Sequence, residues 1–268
     1  MSETLDAALR NHMKEKLAAG SVVASMTVRL ARSIEIAGIA KAAGFDTLYV
    51  DLEHNTLSID TACQICIAAQ QIGVTPLVRV PANTPEYIGR VLDGGAMGVI
   101  TPHVRSAAEA CALVELVKFP PSGQRSAGGA LSHYGYRPFP ADQLARAMNA
   151  TSMLVVMLET AAALDAVEEI IAVDGVDMLL VGSNDLCAEL GIPGQFDDPR
   201  LEAAFTRAIA AARRVGKHVG VGGLAAREDL MAKFVRMGAR YVSTGTDLAF
   251  LQSACAAKAR FVRELPTG

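Results

Sequence analysis

No stretch of this 268-residue chain reaches the roughly 18 uninterrupted apolar residues of a membrane-spanning helix, so no membrane partner is expected. Excess positive charge is missing as well. With 25 Lys and Arg against 28 Asp and Glu, the formal net charge is −3, which gives no electrostatic footprint for a nucleic-acid backbone or an anionic membrane surface. The cysteines number five, an odd and scattered set with no disulfide framework, which points to a reducing, cytoplasmic compartment. Cys63 and Cys66 form a CxxC, but no second pair and no His cluster lies near them. Inside the helical pattern IDTACQICIAAQQIG they read as small buried hydrophobes. A GxGxxG turn after an early strand is absent too, which weighs against an open doubly wound sheet.

What the chain does have is a 51% hydrophobic composition, ample for one large core, in an order that repeats. Leu5, Leu9, Met13 and Leu17 recur every four residues near the N-terminus, the pattern of an amphipathic helix and not of a signal peptide. Eight short apolar runs follow, at 22 to 28, 47 to 53, 75 to 80, 97 to 102, 153 to 159, 178 to 183, 217 to 223 and 240 to 245. They lack polar alternation, as strands buried on both faces should. Helical patterns separate them, among them Ile34 to Ala43, Ala107 to Lys118, Ala161 to Ala172, Leu201 to Val215 and Asp229 to Met237. This rhythm predicts α/β architecture: a single (β/α)8 barrel over residues 1 to 268 with an extra N-terminal helix. The stretch from Pro120 to Pro140, rich in Gly, Pro, Ser and aromatics, breaks the rhythm and reads as a functional or lid-like loop.

Barrel enzymes place their chemistry at the C-terminal ends of the strands. There the chain sets Asp51, Glu53 and His54 after the second strand, Arg79 in the third, Glu159 after the fifth, and Ser183, Asn184 and Asp185 after the sixth. Two carboxylates facing one cavity repel unless protonated or bridged by a cation, so Glu159 and Asp185 read either as ligands of a hard divalent ion or as caps of the following helices. Arg79 could hold a carboxylate or a developing enolate, or form a salt bridge to Asp51 or Glu53. His54 could move protons near neutral pH, with Asp93 of EYIGRVLDGGA as its carboxylate partner, or be a surface histidine. His103 and His133 are candidates for the cavity rim. No strand end carries a lysine, which weighs against Schiff-base chemistry.

The motifs DLEH (51 to 54), RVP (79 to 81), VLDGGA (91 to 96), PPSGQRSAGG (120 to 129), LET (158 to 160) and GSNDLCAELG (182 to 191) together resemble the HpcH/HpaI aldolases, the metal-dependent class II pyruvate aldolases. The match runs from about Val22 to Phe261. The resemblance implies Glu159 and Asp185 as metal ligands, with Mg2+ or Mn2+ expected and Co2+ or Zn2+ as alternatives. It implies a 2-oxo acid that chelates the ion, and an aldehyde as the second partner. Arg79 would neutralise the enolate oxygen, while His54 paired with Asp93 would act through a water on the ion as the acid/base relay. The N–H groups around Gly182, Ser183 and Asn184 would hold the pyruvate carboxylate. Asp51 and Glu53 would position water or other groups, and Arg125 would anchor a loop or touch substrate.

The chain departs from the family pattern at Met157, where members often carry Gln, and at Gly182-Ser-Asn-Asp185, where they often carry GPxD. The resemblance also implies a homo-oligomer, a hexamer built as a trimer of dimers, with the C-terminal helix of residues 246 to 265 exchanged between subunits; a helix packed on its own chain is the simpler reading. Two other functions compete: a citrate-lyase-like C–C lyase of acyl-CoA esters, which needs a basic groove, and a non-catalytic metabolite-binding barrel, which does not need an acid/base relay.

Overall fold

The computed structural model describes residue 5 and residues 9 to 129 and 131 to 266. The strands are β1 Val23–Val28, β2 Thr47–Asp51, β3 Thr75–Arg79, β4 Gly98–Thr101, β5 Met153–Leu158, β6 Met178–Gly182, β7 His218–Gly222 and β8 Tyr241–Thr246. All are parallel and adjacent in sequence order, and β8 pairs with β1 to close the barrel. The helices are α1 His12–Ala18, α2 Glu35–Ala42, α3 Ile59–Gln71, α4 Pro85–Asp93, α5 Ala107–Val117, α6 Ala141–Thr151, α7 Ala161–Asp165, α8 Val167–Ala172, α9 Ser183–Glu189, α10 Pro199–Arg214, α11 Glu228–Met237 and α12 Asp247–Arg263. None of the described helices is long and apolar enough to cross a membrane.

Alternation along the strands builds two apolar layers. Met153, Val155 and Met157 of β5 join Tyr49, Leu77, Leu180 and Tyr241 inside the barrel. Leu154, Val156 and Leu158 pack outward against the helices. The same parity places Asp51 above Tyr49, Arg79 above Leu77 and Glu159 above Met157, so the inner layer changes from apolar to charged at the C-terminal rim. Close strand packing needs a bare backbone at Gly98, where an added Cβ would lie 2.7 Å from the Met153 carbonyl oxygen.

The N-terminal stripe is not one continuous helix. Asn11 interrupts it by accepting a hydrogen bond from the Lys14 N–H, which starts α1 at His12, and by donating to the Thr151 carbonyl at 2.7 Å. Met13 and Leu17 are nonetheless buried in the inner cluster, and the Met13 N–H donates to Thr75 Oγ1 at the start of β3. The helix therefore plugs the N-terminal end of the barrel. The run from Ala161 to Ala172 likewise divides into α7 and α8 at Ala166. All five cysteines are free, with Cys66 buried in the core.

Residues 118 to 129 and 131 to 140 do not cover the strand C-termini of their own barrel. They join α5 to α6, and a helix in a β/α unit returns the chain to the N-terminal end. There the Arg125 N–H donates to the Lys118 carbonyl at 2.9 Å, and His133 Nε2 pairs with the Ala96 carbonyl at 3.0 Å.

Candidate active site

Five consecutive strand ends contribute to one line of charge across the rim. Arg29, just past β1, donates from Nε to Asp51 Oδ2 at 2.7 Å. Arg79 grips the same carboxylate with two bonds, Nε to Oδ1 at 2.9 Å and Nη2 to Oδ2 at 2.7 Å, and its Nη1 lies 2.8 Å from Glu53 Oε2. The other Glu53 oxygen is 2.8 Å from His103 Nε2. His103 then meets Glu159 Oε1 with its backbone N–H at 2.6 Å and with Nδ1 at 3.1 Å.

Burial sharpens these interactions. Asp51 is fully buried and Arg79 is 4% exposed. Burial alone would raise the Asp51 pKa, but the hydrogen bonds and charges of Arg79 and Arg29 hold it below the ordinary carboxylate range. Burial also opposes the Arg79 charge, yet Tyr49, Asp51 and Glu53 around it carry its pKa upward, so the guanidinium stays a fixed cation. The salt bridges to Asp51 and Glu53 are thus real, and they orient Arg79 without using all its donors. Glu159, 2% exposed, behaves oppositely. Burial raises its pKa, the Asp185 and Glu53 charges add to the rise, and the His103 N–H only partly offsets them.

Glu159 does not cap the following helix; the Thr160 side chain does, accepting from the Ala163 N–H. Its second oxygen faces Gly182, where a Cβ would come within 3.1 Å of Oε2. Asp185 is exposed in the first turn of α9. Across from that turn, Gly223 at φ +79 leaves room that a Cβ would fill, 3.2 Å and 3.3 Å from the backbone nitrogens of Asn184 and Ser183. The Ser183 hydroxyl is buried and has no partner among the described residues. Asn184 reaches back to the Gly223 carbonyl at 3.3 Å.

A desolvated carboxylate raised by a neighbouring carboxylate fits a divalent cation, which would relieve both, and an oxygen-only donor set fits a hard ion. Among the described residues no three His, Cys, Asp or Glu side chains converge as a metal cluster. Glu159 and Asp185 would therefore leave other coordination positions to oxygens from outside the chain.

His54 is exposed, with Nε2 3.8 Å from Glu53 Oε2 and its backbone N–H directed to Asp51 Oδ1 at 3.3 Å. Its expected partner, Asp93, is elsewhere in the same chain. Asp93 ends α4, which returns the chain to the N-terminal end, so within this chain it lies away from His54. Asp93 instead pairs with Arg125 Nη2 at 2.6 Å. Arg125, lying over the Phe119 ring, anchors the loop at the N-terminal end and does not face this chain's rim.

His133 belongs to that end as well, and not to the rim expected for it. Burial lowers its pKa to about 4. In the unfolded chain it titrates near its ordinary value, so the unfolded state binds the extra proton as pH falls. Its contribution is complete above the ordinary histidine pKa and is lost on acidification toward the folded value. Urea unfolding should show a loss of about 2 kcal/mol from this group between about pH 7.5 and about pH 5. His133→Gln should remove that part of the slope; an unchanged slope refutes the assignment.

A cleft of about 890 Å3 also opens at the N-terminal end. Its lining includes Lys118, whose pKa is lowered by burial. That amine donates to the carbonyls of Asn149 and Ser152 at 3.0 and 2.7 Å, and the fold places it away from the strand C-termini.

Sequence comparisons agree with this architecture. Residues 26–254 match the family model for HpcH/HpaI aldolase/citrate lyase. The chain is 42% identical over 219 residues to a 4-hydroxy-4-methyl-2-oxoglutarate aldolase of Hapsidospora irregularis, covering 81% of each protein. It is 34% identical over 257 residues to a 4-hydroxy-2-oxo-heptane-1,7-dioate aldolase of Salmonella dublin, covering 96% of each. Among solved structures, an HpcH/HpaI aldolase from Desulfitobacterium hafniense superposes with a TM-score of 0.88 at 30% identity, over 96% of this chain and 98% of that one.

Proposed function

The chain belongs to the HpcH/HpaI aldolase/citrate lyase family, and on that premise we propose that it is a metal-dependent aldolase, reversibly cleaving a 4-hydroxy-2-oxo acid to pyruvate, or a related 2-oxo acid, and an aldehyde. The observation that carries this reading is the pairing of opposites at one rim. Glu159 is a buried carboxylate with a raised pKa beside Asp185, and Arg79 is a buried cation held in place by Asp51.

Glu159 and Asp185 would hold a divalent ion, Mg2+ or Mn2+ in preference to Co2+ or Zn2+ from the oxygen donors. When bound, that ion supplies a Lewis acid for the charge that cleavage leaves on the 2-oxo acid. The chain's own residues do the rest. Arg79 places its remaining N–H donors and its charge at the enolate oxygen, and bidentate attachment to Asp51 fixes them before the reaction begins. The bare turn opposite Gly223, with the N–H groups of Ser183 and Asn184 beside Gly182, receives the substrate carboxylate. His54, at the open edge, takes the 4-hydroxyl proton as the C3–C4 bond breaks and returns it in the reverse direction, with Glu53 as its nearest carboxylate. Met157 adds an apolar wall beneath them, its sulfur 3.9 Å from Arg79 Nη1.

The C-terminal helix supports assembly with further copies. Past Asp247 its side chains are exposed, including Leu251 at 53%, Phe261 at 60% and Val262 at 63%, and such an apolar surface favours burial against another subunit. A homo-oligomer with this helix exchanged between subunits, a hexamer as in the family, is the proposed state. Free thiols and the lack of a membrane-crossing helix among the described residues fit the cytoplasmic setting.

The function is tested by pyruvate release across a panel of 4-hydroxy-2-oxo acids, comparing chelator-treated enzyme with enzyme refilled with Mg2+, Mn2+ or Co2+. Cleavage should vanish on chelation and return on refilling. Cleavage indifferent to chelation would contradict the metal-dependent mechanism, and release from an acyl-CoA ester instead would favour the citrate-lyase-like chemistry.

A further inference from the structure

His103 stands out because its backbone adopts a left-handed conformation, φ 59. For a residue with a Cβ this is uncommon, although His tolerates it better than most, and it persists only where the surroundings enforce it. Two consequences follow from that conformation. The backbone N–H is turned toward Glu159 Oε1 at 2.6 Å, and the ring crosses the rim, with Nδ1 3.1 Å from the same oxygen and Nε2 2.8 Å from Glu53 Oε1. The ring is otherwise open to solvent, 63% exposed, whereas the two carboxylates it joins are 10% and 2% exposed. Packing of the imidazole is therefore not what its position serves.

Without this bridge, the described residues of the rim fall into two groups with no hydrogen bond or ion pair between them. On one side are Arg29, Asp51, Arg79 and Glu53, locked together by ion pairs; on the other is Glu159, followed by Asp185. We infer that His103 is a positioning residue that couples the two, fixing Glu159 with its N–H and its ring so that the carboxylate's other oxygen stays directed to the ion site while Glu53 stays on Arg79. The inference rests on the proposed metal site. Groups that orient ligands in this way commonly change metal affinity by one to two orders of magnitude when removed.

The test separates ring from backbone. His103→Gly keeps the N–H and suits the left-handed conformation while deleting the imidazole; His103→Asn tolerates the same backbone and reaches one carboxylate at most. Mn2+ is titrated calorimetrically into metal-free wild type, both variants and Glu159→Gln, with thermal midpoints measured alongside. Both His103 variants should bind Mn2+ about tenfold or more weakly, with midpoints near that of the wild type. A lowered midpoint with unaltered Mn2+ affinity would reveal a structural histidine and overturn the inference, as would wild-type values of both. Failure of the wild type to bind Mn2+, or wild-type affinity in Glu159→Gln, would overturn the metal site itself and this inference with it.

Discussion

Arg79→Lys is expected to lower kcat for aldol cleavage by about three orders of magnitude, because an ammonium cannot replace a guanidinium in this setting. Arg79 uses Nε and Nη2 together on Asp51 and Nη1 on Glu53, and only a planar fork can satisfy both carboxylates while keeping further N–H groups for a substrate oxygen. A lysine would retain the charge, reach one carboxylate, and leave its position over the reacting oxygen unfixed. KM for the hydroxy-oxo acid should change much less than kcat, since the lost interaction grows with the charge on the enolate. A kcat within a few-fold of wild type would exclude Arg79 from that role.

Asp51→Asn should cost stability as well as turnover. Asp51 is fully buried and takes three guanidinium hydrogen bonds together with the N–H groups of Glu53 and His54. The amide keeps the size of the side chain but removes the negative charge opposite two cations and presents N–H groups where only acceptors fit. Breaking a buried pair from one side commonly costs about 3 to 5 kcal/mol. For a chain of this size that corresponds to a fall in thermal midpoint of about 10 °C. Arg79 would also lose its orientation, so kcat in the cold, where the variant is folded, should fall by about a hundredfold or more. Full stability in Asp51→Asn would show that Glu53 alone balances Arg79.

Part of this rim is legible in the sequence. Strand parity is enough to carry Asp51, Arg79 and Glu159 inward at one end of the barrel, because each continues an inner row begun by Tyr49, Leu77 and Met157. Composition also sets the eight strands apart, since runs buried on both faces need no polar alternation. Other features are set by contacts that local pattern does not carry. A repeat of four survives across Asn11, although its side chain captures the Lys14 N–H and begins the helix anew, because hydrophobic spacing does not register a competing cap. The helical stretch EYIGRVLDGGA suggests Asp93 for His54 because it leads back towards the next strand, and that same direction carries the end of α4 to the opposite end of the barrel within this chain. The long segment from Pro120 to Pro140 has the composition of a lid, but the connection from α5 to α6 sends its described residues away from the strand C-termini of this chain.

His103 is the rim residue least legible in the sequence. Its partners stand 50 and 56 positions away, on two different strand ends, and its contact with Glu159 depends on a positive φ that no local pattern encodes. A histidine immediately after a strand-ending TP was the available signal, and it indicated the rim without indicating the bridge.

Formation of the enolate is the step on which the proposed chemistry turns, and it can be isolated from the aldehyde altogether. Pyruvate incubated with enzyme in D2O should exchange its C3 protons for deuterium, followed by proton NMR, only when a divalent ion is supplied. The exchange should stop on chelation and be strongly slowed in Arg79→Lys. Exchange that continues at the same rate after chelation would contradict an enolate stabilised between an ion on Glu159 and Asp185 and the guanidinium of Arg79.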